Sequence, residues 1–520
     1  MTTKEKKVLF LSNLFIHLDG IVLIPTILEL EKKQILSNFT DSNLTTLSIK
    51  HNANKGYLNV ALRLLCSQGL LKQTITNDEV YYTKTPKSSD FIRINKTYNL
   101  LQKLYDTKID YSVIINNNKS IHQPILINTI TDYLKKYSQK QELNTYERHL
   151  EGAVLGPILV ELGQNGCFER LEEKKKILLE KVHPNYKKLI IDLLICTQII
   201  DTNHIPTGFG FFILKRVTSY GVTVSYLPTY KNIKNLLFGN YKILWNEPGT
   251  IEKHVDRSMN VWGSGGAHNT YFKKIDKIII DLFNLPIKDQ PKGFIDIGCG
   301  NGKLIEHIFD LIYYKTKRGK VLEEFPLFIV GSDFNYKALD ATNETIKKAD
   351  IWAKTAFGDI SNPDSLARRL KKEYKINLED LLNIRSFLDH NRIFTIPKET
   401  IIQKSFSTGA FVAKGEKIDN STLQQNLKEH FEKWYPYLIK YGLLIVELHT
   451  IDPTIAANSI GKTAITAYDA SHGFSDQYII EYNLFLETAL KVGLKPDPIH
   501  EYTFPSREIP IVSINRLIKS

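Results

Sequence analysis

Asp389, His390, Asn391 and Arg392 stand in an unbroken row just past the apolar run "LLNIRSFL". A histidine beside an acid at the end of a buried strand can work as a base near neutral pH. The same row would also serve as a helix start, with Asp389 or Asn391 as N-cap and His390 on the surface. A second apolar run, "GLLIVELHT", ends in Glu447, Leu448 and His449, and strand alternation places Glu447 and His449 on one face. Beyond it, "YDASHGFSDQY" gathers Tyr468, Asp469, His472, Asp476 and Gln477. Two histidines with carboxylates and an amide could hold one metal ion. Imidazole with oxygen ligands suits iron or manganese, with positions left open for a substrate. No HxH or facial-triad spacing singles out such a site.

A third group is glycine-based. In "FIDIGCGNGKLIEHIF" a short apolar strand carries Asp296, and Gly298, Gly300 and Gly302 then open an amphipathic helix. Glycines are needed where the backbone turns tightly and a ligand must come close. With its acid inside the motif, the segment resembles the first motif of class I S-adenosylmethionine methyltransferases. In that family the next strand ends in an acid for the ribose hydroxyls, here Asp333 of "LFIVGSDF" with Phe334 beside it. Asp359 of "AFGDI" would then accept from the adenine amino group while Ile360 packs on the ring. The insertion "YYKTKRGKVLEEFP" accounts for the long spacing to Asp333, as a helix extension and loop.

These residues need a sheet to position them. From about residue 251, "GFIDIGCG", "LFIVGSD", "DLLNIR", "GLLIVELHT" and "IPIVSINRL" read as strands separated by amphipathic helices. Strict alternation implies a mostly parallel sheet covered on both faces. The expected fold is α/β, a Rossmann-like seven-stranded methyltransferase sheet over 251–520. Its fourth and fifth strands adjoin the first, so their carboxyl ends face the methyl donor.

The front half contains a faint repeat. "IVLIPTILELEKKQILSNF" resembles "AVLGPILVELGQNGCFERL", with Val22/Val154, Leu23/Leu155, Pro25/Pro157, Glu29/Glu161 and Leu30/Leu162 in register. "GYLNVALRLLCSQGLL" answers "PNYKKLIIDLLICTQII", with Tyr57 matching Tyr186. Each half reads as helix, connector and amphipathic helix. A β-rich tail follows each, "EVYYTKT" and "GFGFFILKR", which gives a winged-helix-like pattern. The expected organisation is one repeat at 1–90, a polar connector at 91–150 and a second repeat and lid at 151–250. A DNA-reading helix would need a basic exposed face, and the first candidate offers only Arg63.

Composition narrows the classes further. The formal net charge of +12 comes from scattered lysines and arginines with acids nearby, so no nucleic-acid partner is expected. No apolar run reads as a bilayer span, and "MTTKEKKVLFLSNLF" reads as the first helix of the fold. Cys66, Cys167, Cys196 and Cys299 share no zinc spacing, in keeping with a reducing cytoplasm.

"HVDRSMNVWGSGGAHNTYF", "DIGCGNG", "FLDHNR", "ELHT" and "AYDASHGFSDQY" together resemble one group, the metal-dependent C-methyltransferase module of apratoxin-type polyketide loading regions. The resemblance runs along most of the chain, including the helical front half, a lid in that group. It implies S-adenosylmethionine as methyl donor and methylation of the α-carbon of a malonyl-type acyl group on a carrier protein. It also implies an iron or manganese ion held by His449 and Gln477, and a substrate side lined by His390, Asp389, Arg392 and Tyr468. The chain ends just after "IVSINRLIKS", so the acyl group is expected in trans or as a free small molecule. A metal-free O- or N-methyltransferase with His390 as base, monomeric or homodimeric, is the other reading. A nucleic-acid modifier is disfavoured because no Asn-Pro-Pro-aromatic motif is present.

Overall fold

Both long front helices carry a proline where helices normally break, and both are buried on every side around it. The computed structural model describes residues 3–115, 123–245, 252–265, 268–401 and 403–520, without the side chains of 268–270 and 272. The end of "HVDRSMNVWGSGGAHNTYF" therefore lies partly outside the described residues. The chain forms two compact units, residues 1–268 with 412–417 and 452–475, and residues 269–411 with 418–451 and 476–520.

In the first unit, α1 (Thr3–Lys32) meets α3 (Thr145–Gln164). Pro25 has no N–H for the Ile21 carbonyl, and the Tyr105 hydroxyl donates to that oxygen instead, at 3.2 Å. By length and composition α1 is apolar enough to cross a bilayer, contrary to expectation. From His17 to Leu30, however, every residue is buried inside the unit. The two helices touch reciprocally. A Cβ on Gly20 would lie 2.2 Å from the His149 carbonyl oxygen, and one on Gly152 would lie 2.3 Å from the His17 Cα. The repeat thus extends back to His17/His149 and Gly20/Gly152, and its halves pack as a pseudo-two-fold pair. Each histidine has its own tyrosine, His17 Nδ1 at 2.7 Å from the Tyr220 hydroxyl and His149 Nδ1 at 2.6 Å from that of Tyr98.

The second helices of the repeats are α2 (Lys55–Ser67) and α4 (Pro184–Cys196). After α2 comes the expected hairpin, β1 (Leu71–Thr76) and β2 (Glu79–Lys84), joined through Asn77 and Asp78. Both joining residues have positive φ, as a type I′ turn requires. After α4 the expectation fails, because "GFGFFILKR" is helix α5 (Gly208–Leu214). The Thr207 hydroxyl caps it, accepting from the Gly210 N–H at 2.9 Å. Phe209 and Phe212, one helical turn apart, both pack on Phe10.

The second unit is the α/β layer. Its sheet comprises β3 (Gly293–Ile297), β4 (Phe328–Asp333), β5 (Ala353–Phe357), β6 (Leu382–Ser386), β7 (Leu443–Leu448), β8 (Leu494–Pro505) and β9 (Pro510–Lys519). The order is β8-β9-β7-β6-β3-β4-β5. All pairings from β7 to β5 are parallel, and β9 joins both its neighbours antiparallel. All of β3 and all but the last residue of β6 are buried, and the helices of this unit include α6 (Lys303–Lys315), α7 (Tyr336–Lys348), α8 (Pro363–Tyr374), α9 (Asn420–Leu438) and α10 (Tyr482–Lys491). The fold class is as the sequence implies. One detail differs: the fourth strand, β6, pairs with β3, but the fifth, β7, pairs with β6 and not with the first.

Candidate active site

At the carboxyl end of β3 the backbone turns through Gly298, Gly300 and Gly302, with φ of +78°, +54° and +74°. A Cβ on Gly300 would meet nothing within 4 Å, so its backbone faces open space where a ligand can approach. The Gly298 and Cys299 N–H groups donate to the Ser332 carbonyl at 2.7 and 3.1 Å, tying the loop to β4. Asp333 completes the tie. Its carboxylate accepts from the Gly300 N–H at 3.2 Å and from the Asn335 N–H at 2.9 Å, joining the glycine loop to the start of α7. Phe334 is exposed beside it. Asp359 accepts from the Ser361 N–H at 2.8 Å, and the Ile360 carbonyl accepts from the Trp434 indole at 2.7 Å. These expected donor-site residues therefore lie on the ends of three neighbouring strands.

Asp296 lies beneath this loop. Burial, then the charge of Asp333, pushes its carboxyl up to about 7. A raised folded-state value makes the charged form the costly one, so stability is highest below the unfolded value of about 4 and falls as pH rises towards 7. Asp296→Asn is expected to raise Tm at pH 8 by several degrees and to leave it unchanged near pH 4. Scans across that range read this directly, and equal shifts at both ends would refute it.

The second cluster grows from the end of β6. Phe387 takes a positive φ of 54°, an uncommon state for an aromatic residue, and its N–H donates to the Val446 carbonyl at 2.7 Å. The chain then makes a single 3-10 turn, Asp389–Asn391. Leu388 packs against the glycine loop, 3.0 Å from where a Gly298 Cβ would stand. The turn that carries His390 and the glycine loop are therefore neighbours.

His390 is buried and gripped by Glu447 of β7. One carboxylate oxygen lies 2.5 Å from His390 Nδ1 and the other accepts from the His390 backbone N–H at 3.2 Å. A carboxylate can only accept, so Nδ1 carries the hydrogen and Nε2 holds the lone pair. The Asn391 side-chain amide donates to that lone pair at 3.2 Å. The arrangement orients an imidazole with its proton-accepting nitrogen turned away from its acid.

Asp389 is not the acid of His390. It pairs with Arg385 Nη1 at 2.7 Å and His430 Nε2 at 2.9 Å, so the expected neighbour pair is replaced by a cross-strand one. Adjacent residues of a tight turn point apart, whereas Glu447 comes from the next strand. Burial alone would raise the Asp389 carboxyl, but Arg385 and His430 outweigh it and hold it well below the usual range. Arg392 is also turned inward. It donates to Asn426 Oδ1 at 2.9 Å and to the Asp389 carbonyl at 3.0 Å, stapling the turn from behind.

The polar residues of "YDASHGFSDQY" are divided between the two units. Asp469 and His472 belong to the first unit, where Asp469 pairs with buried Arg63 and His472 Nδ1 donates to the Tyr468 carbonyl at 2.7 Å. Tyr468 is half-buried there. Asp476 and Gln477 belong to the second unit. His449 is fully buried, edge-on to the rings of Tyr482 and Phe485. Its Nδ1 donates to the Ile480 carbonyl at 3.1 Å, which leaves Nε2 to accept from the Ser513 hydroxyl at 2.7 Å. Burial pushes it down to about 3, so it is neutral. The side-chain oxygen of Gln477 is buried without a hydrogen-bond partner. Among the described residues, no group of three or more His, Cys, Asp or Glu side chains is placed to hold a metal ion.

Comparison with known families gives three matches along the chain. A model described as the AprA MT2-like domain matches residues 252–515, one for the AprA N-terminal domain matches 10–73, and one for the AprA winged helix domain matches 151–240. No curated protein sequence matches. Similar solved structures include the CurJ carbon methyltransferase, 11% identical over 82% of this chain and 99% of that one, with a TM-score of 0.33. LepI in complex with SAM is 10% identical over 82% and 98%, with a TM-score of 0.36. An O-methyltransferase family 2 protein from Planctomyces limnophilus, in complex with apigenin, is 11% identical over 100% and 96%, also at 0.36.

Proposed function

Given that the chain belongs to the AprA MT2-like family and is an S-adenosylmethionine-dependent methyltransferase, we propose that it methylates the α-carbon of a malonyl-type acyl thioester, with His390 as base. The observation that carries this reading is the His390–Glu447 pair, 2.5 Å apart, on a loop packed against the glycine turn. When bound, S-adenosylmethionine supplies an electrophilic methyl group. Asp333 and Asp359 accept from its ribose and adenine, Phe334 and Ile360 flank the ring, and Gly298, Gly300 and Gly302 let the backbone approach. Asp296 supports that turn from below.

His390 Nε2 takes the proton from the acyl α-carbon, and the C–H electrons pass into the adjacent carbonyl as an enolate. Glu447 stabilises the imidazolium so formed through Nδ1–H. The nucleophilic carbon then forms its bond to the methyl group as the methyl–sulfur bond breaks, and holding the two partners in line is most of the remaining catalysis. Asp389 and Arg392 position the turn that carries His390.

A metal-assisted form is the second reading, favoured by the partnerless Gln477 oxygen and by the tautomer of His449. A ligating histidine typically fixes its other nitrogen on a carbonyl in this way. His449 Nε2 and Gln477 Oε1 would hold an iron or manganese ion, and Ser513 would have to release His449. Such an ion would acidify the carbon acid by drawing on its oxygens. Incubating the protein with S-adenosylmethionine and a malonyl thioester, before and after chelation, separates the readings by product mass. Methylated product that survives chelation supports His390 acting alone. Product lost on chelation and restored by iron or manganese supports the metal-assisted form, and no product in any arm contradicts both.

A further inference from the structure

We propose that Asn391 is a further catalytic residue, donating a hydrogen bond to the enolate oxygen while His390 holds the abstracted proton. The inference rests on the reading of His390 as base. The Asn391 amide nitrogen lies 3.2 Å from the Phe387 carbonyl oxygen and 3.2 Å from His390 Nε2. A carbonyl can only accept, so the amide is oriented with its NH₂ group inward. One hydrogen anchors the side chain to Phe387, whose carbonyl is fixed by the turn at φ 54°. The other points at the lone pair that is to receive the proton.

The α-C–H must reach the Nε2 lone pair, so the Asn391 N–H leaves that lone pair as substrate binds and stands beside the reacting carbon; once Nε2 is protonated it cannot take the donor back. The oxygen of the new enolate is two bonds from the carbon that gave up its proton, so it develops negative charge within reach of the freed donor. The electron pair of the C–H bond becomes the carbon–carbon double bond of the enolate, the π pair of the carbonyl moves onto this oxygen, the proton ends on Nε2, and no further reactant is needed. Asn391 is exposed while His390 is buried, so the amide covers the base from the solvent side and a substrate must displace it. One group thereby shields the lone pair at rest and serves the oxyanion during turnover.

The test is exchange of the α-hydrogens of acetoacetyl-N-acetylcysteamine into D₂O with S-adenosylhomocysteine bound, followed by NMR. Asn391→Ala is expected to slow exchange about 10²-fold, the usual cost of one oxyanion donor. Asn391→Asp keeps the shape but presents a carboxylate that opposes the enolate, so it is expected to slow exchange at least as far. Exchange at or above the wild-type rate in Asn391→Ala, or near it in Asn391→Asp, overturns the assignment. His390→Ala run alongside tells the two claims apart. Exchange that survives in His390→Ala removes the base itself, whereas exchange lost there but intact in the Asn391 variants removes only the role given to Asn391.

Discussion

Replacing His390 with alanine is expected to lower the methyl-transfer rate by about 10²- to 10⁴-fold, the range spanned by a positioned general base. Binding of S-adenosylmethionine should be unchanged, because Asp333 is held to the glycine loop by the Gly300 N–H and to the next helix by the Asn335 N–H. Glu447→Gln tests the same unit from the other side. The amide oxygen can still accept from Nδ1–H, but the charge that stabilises the imidazolium is gone, so a smaller loss is expected. The two changes should not add in the double variant, because the effect of Glu447 on proton transfer runs through His390. Single-turnover rates with saturating methyl donor measure this. Loss in His390→Ala confined to KM for the donor would contradict the assignment.

The second large effect is on stability. Arg63 and Asp469 form a hydrogen-bonded pair whose side chains are 2% and 7% exposed. Arg63→Met leaves the Asp469 carboxylate buried without its cation, beside Asp19, whose own carboxyl burial already pushes well above the usual range. Removing one partner of such a pair costs about 3–5 kcal/mol, whereas exchanging both for apolar residues costs little. Urea unfolding of Arg63→Met is therefore expected to show a loss of that size, and Arg63→Met with Asp469→Leu should recover most of it. A loss below about 1 kcal/mol in the single variant would mean that the pair behaves as a surface one.

The parallel sheet and the glycine turn were legible because both rest on local rules. A buried strand followed by glycines at fixed spacing has few other uses, and Asp296, Asp333 and Asp359 each end a strand or follow one closely. The proposed base was half legible. His390 could be placed past the fourth strand, but its acid comes from Glu447, 57 residues on, and only cross-strand register reveals that. Strand alternation puts Glu447 and His449 on one face next to the fourth-strand loop, and of the two it is Glu447 that meets His390. Within 468–477, density in sequence does not fix the partner of each side chain. Helix geometry turns Asp469 towards Arg63 and His472 onto its own backbone. In the front half, the repeat was visible in Pro25 and Pro157, yet its meaning lies in the reciprocal approach of Gly20 and Gly152. The same repeat invited a second wing, where phenylalanines spaced by three residues and the Thr207 cap made helix α5 instead.

The most direct test of the central claim is to place the transferred carbon. With methyl-¹³C-labelled S-adenosylmethionine and a malonyl thioester, the product is predicted to show the label in a C–CH₃ resonance, formed by the wild type and lost in His390→Ala. Label in an O- or N-methyl resonance, or equal labelling by His390→Ala, would contradict the account.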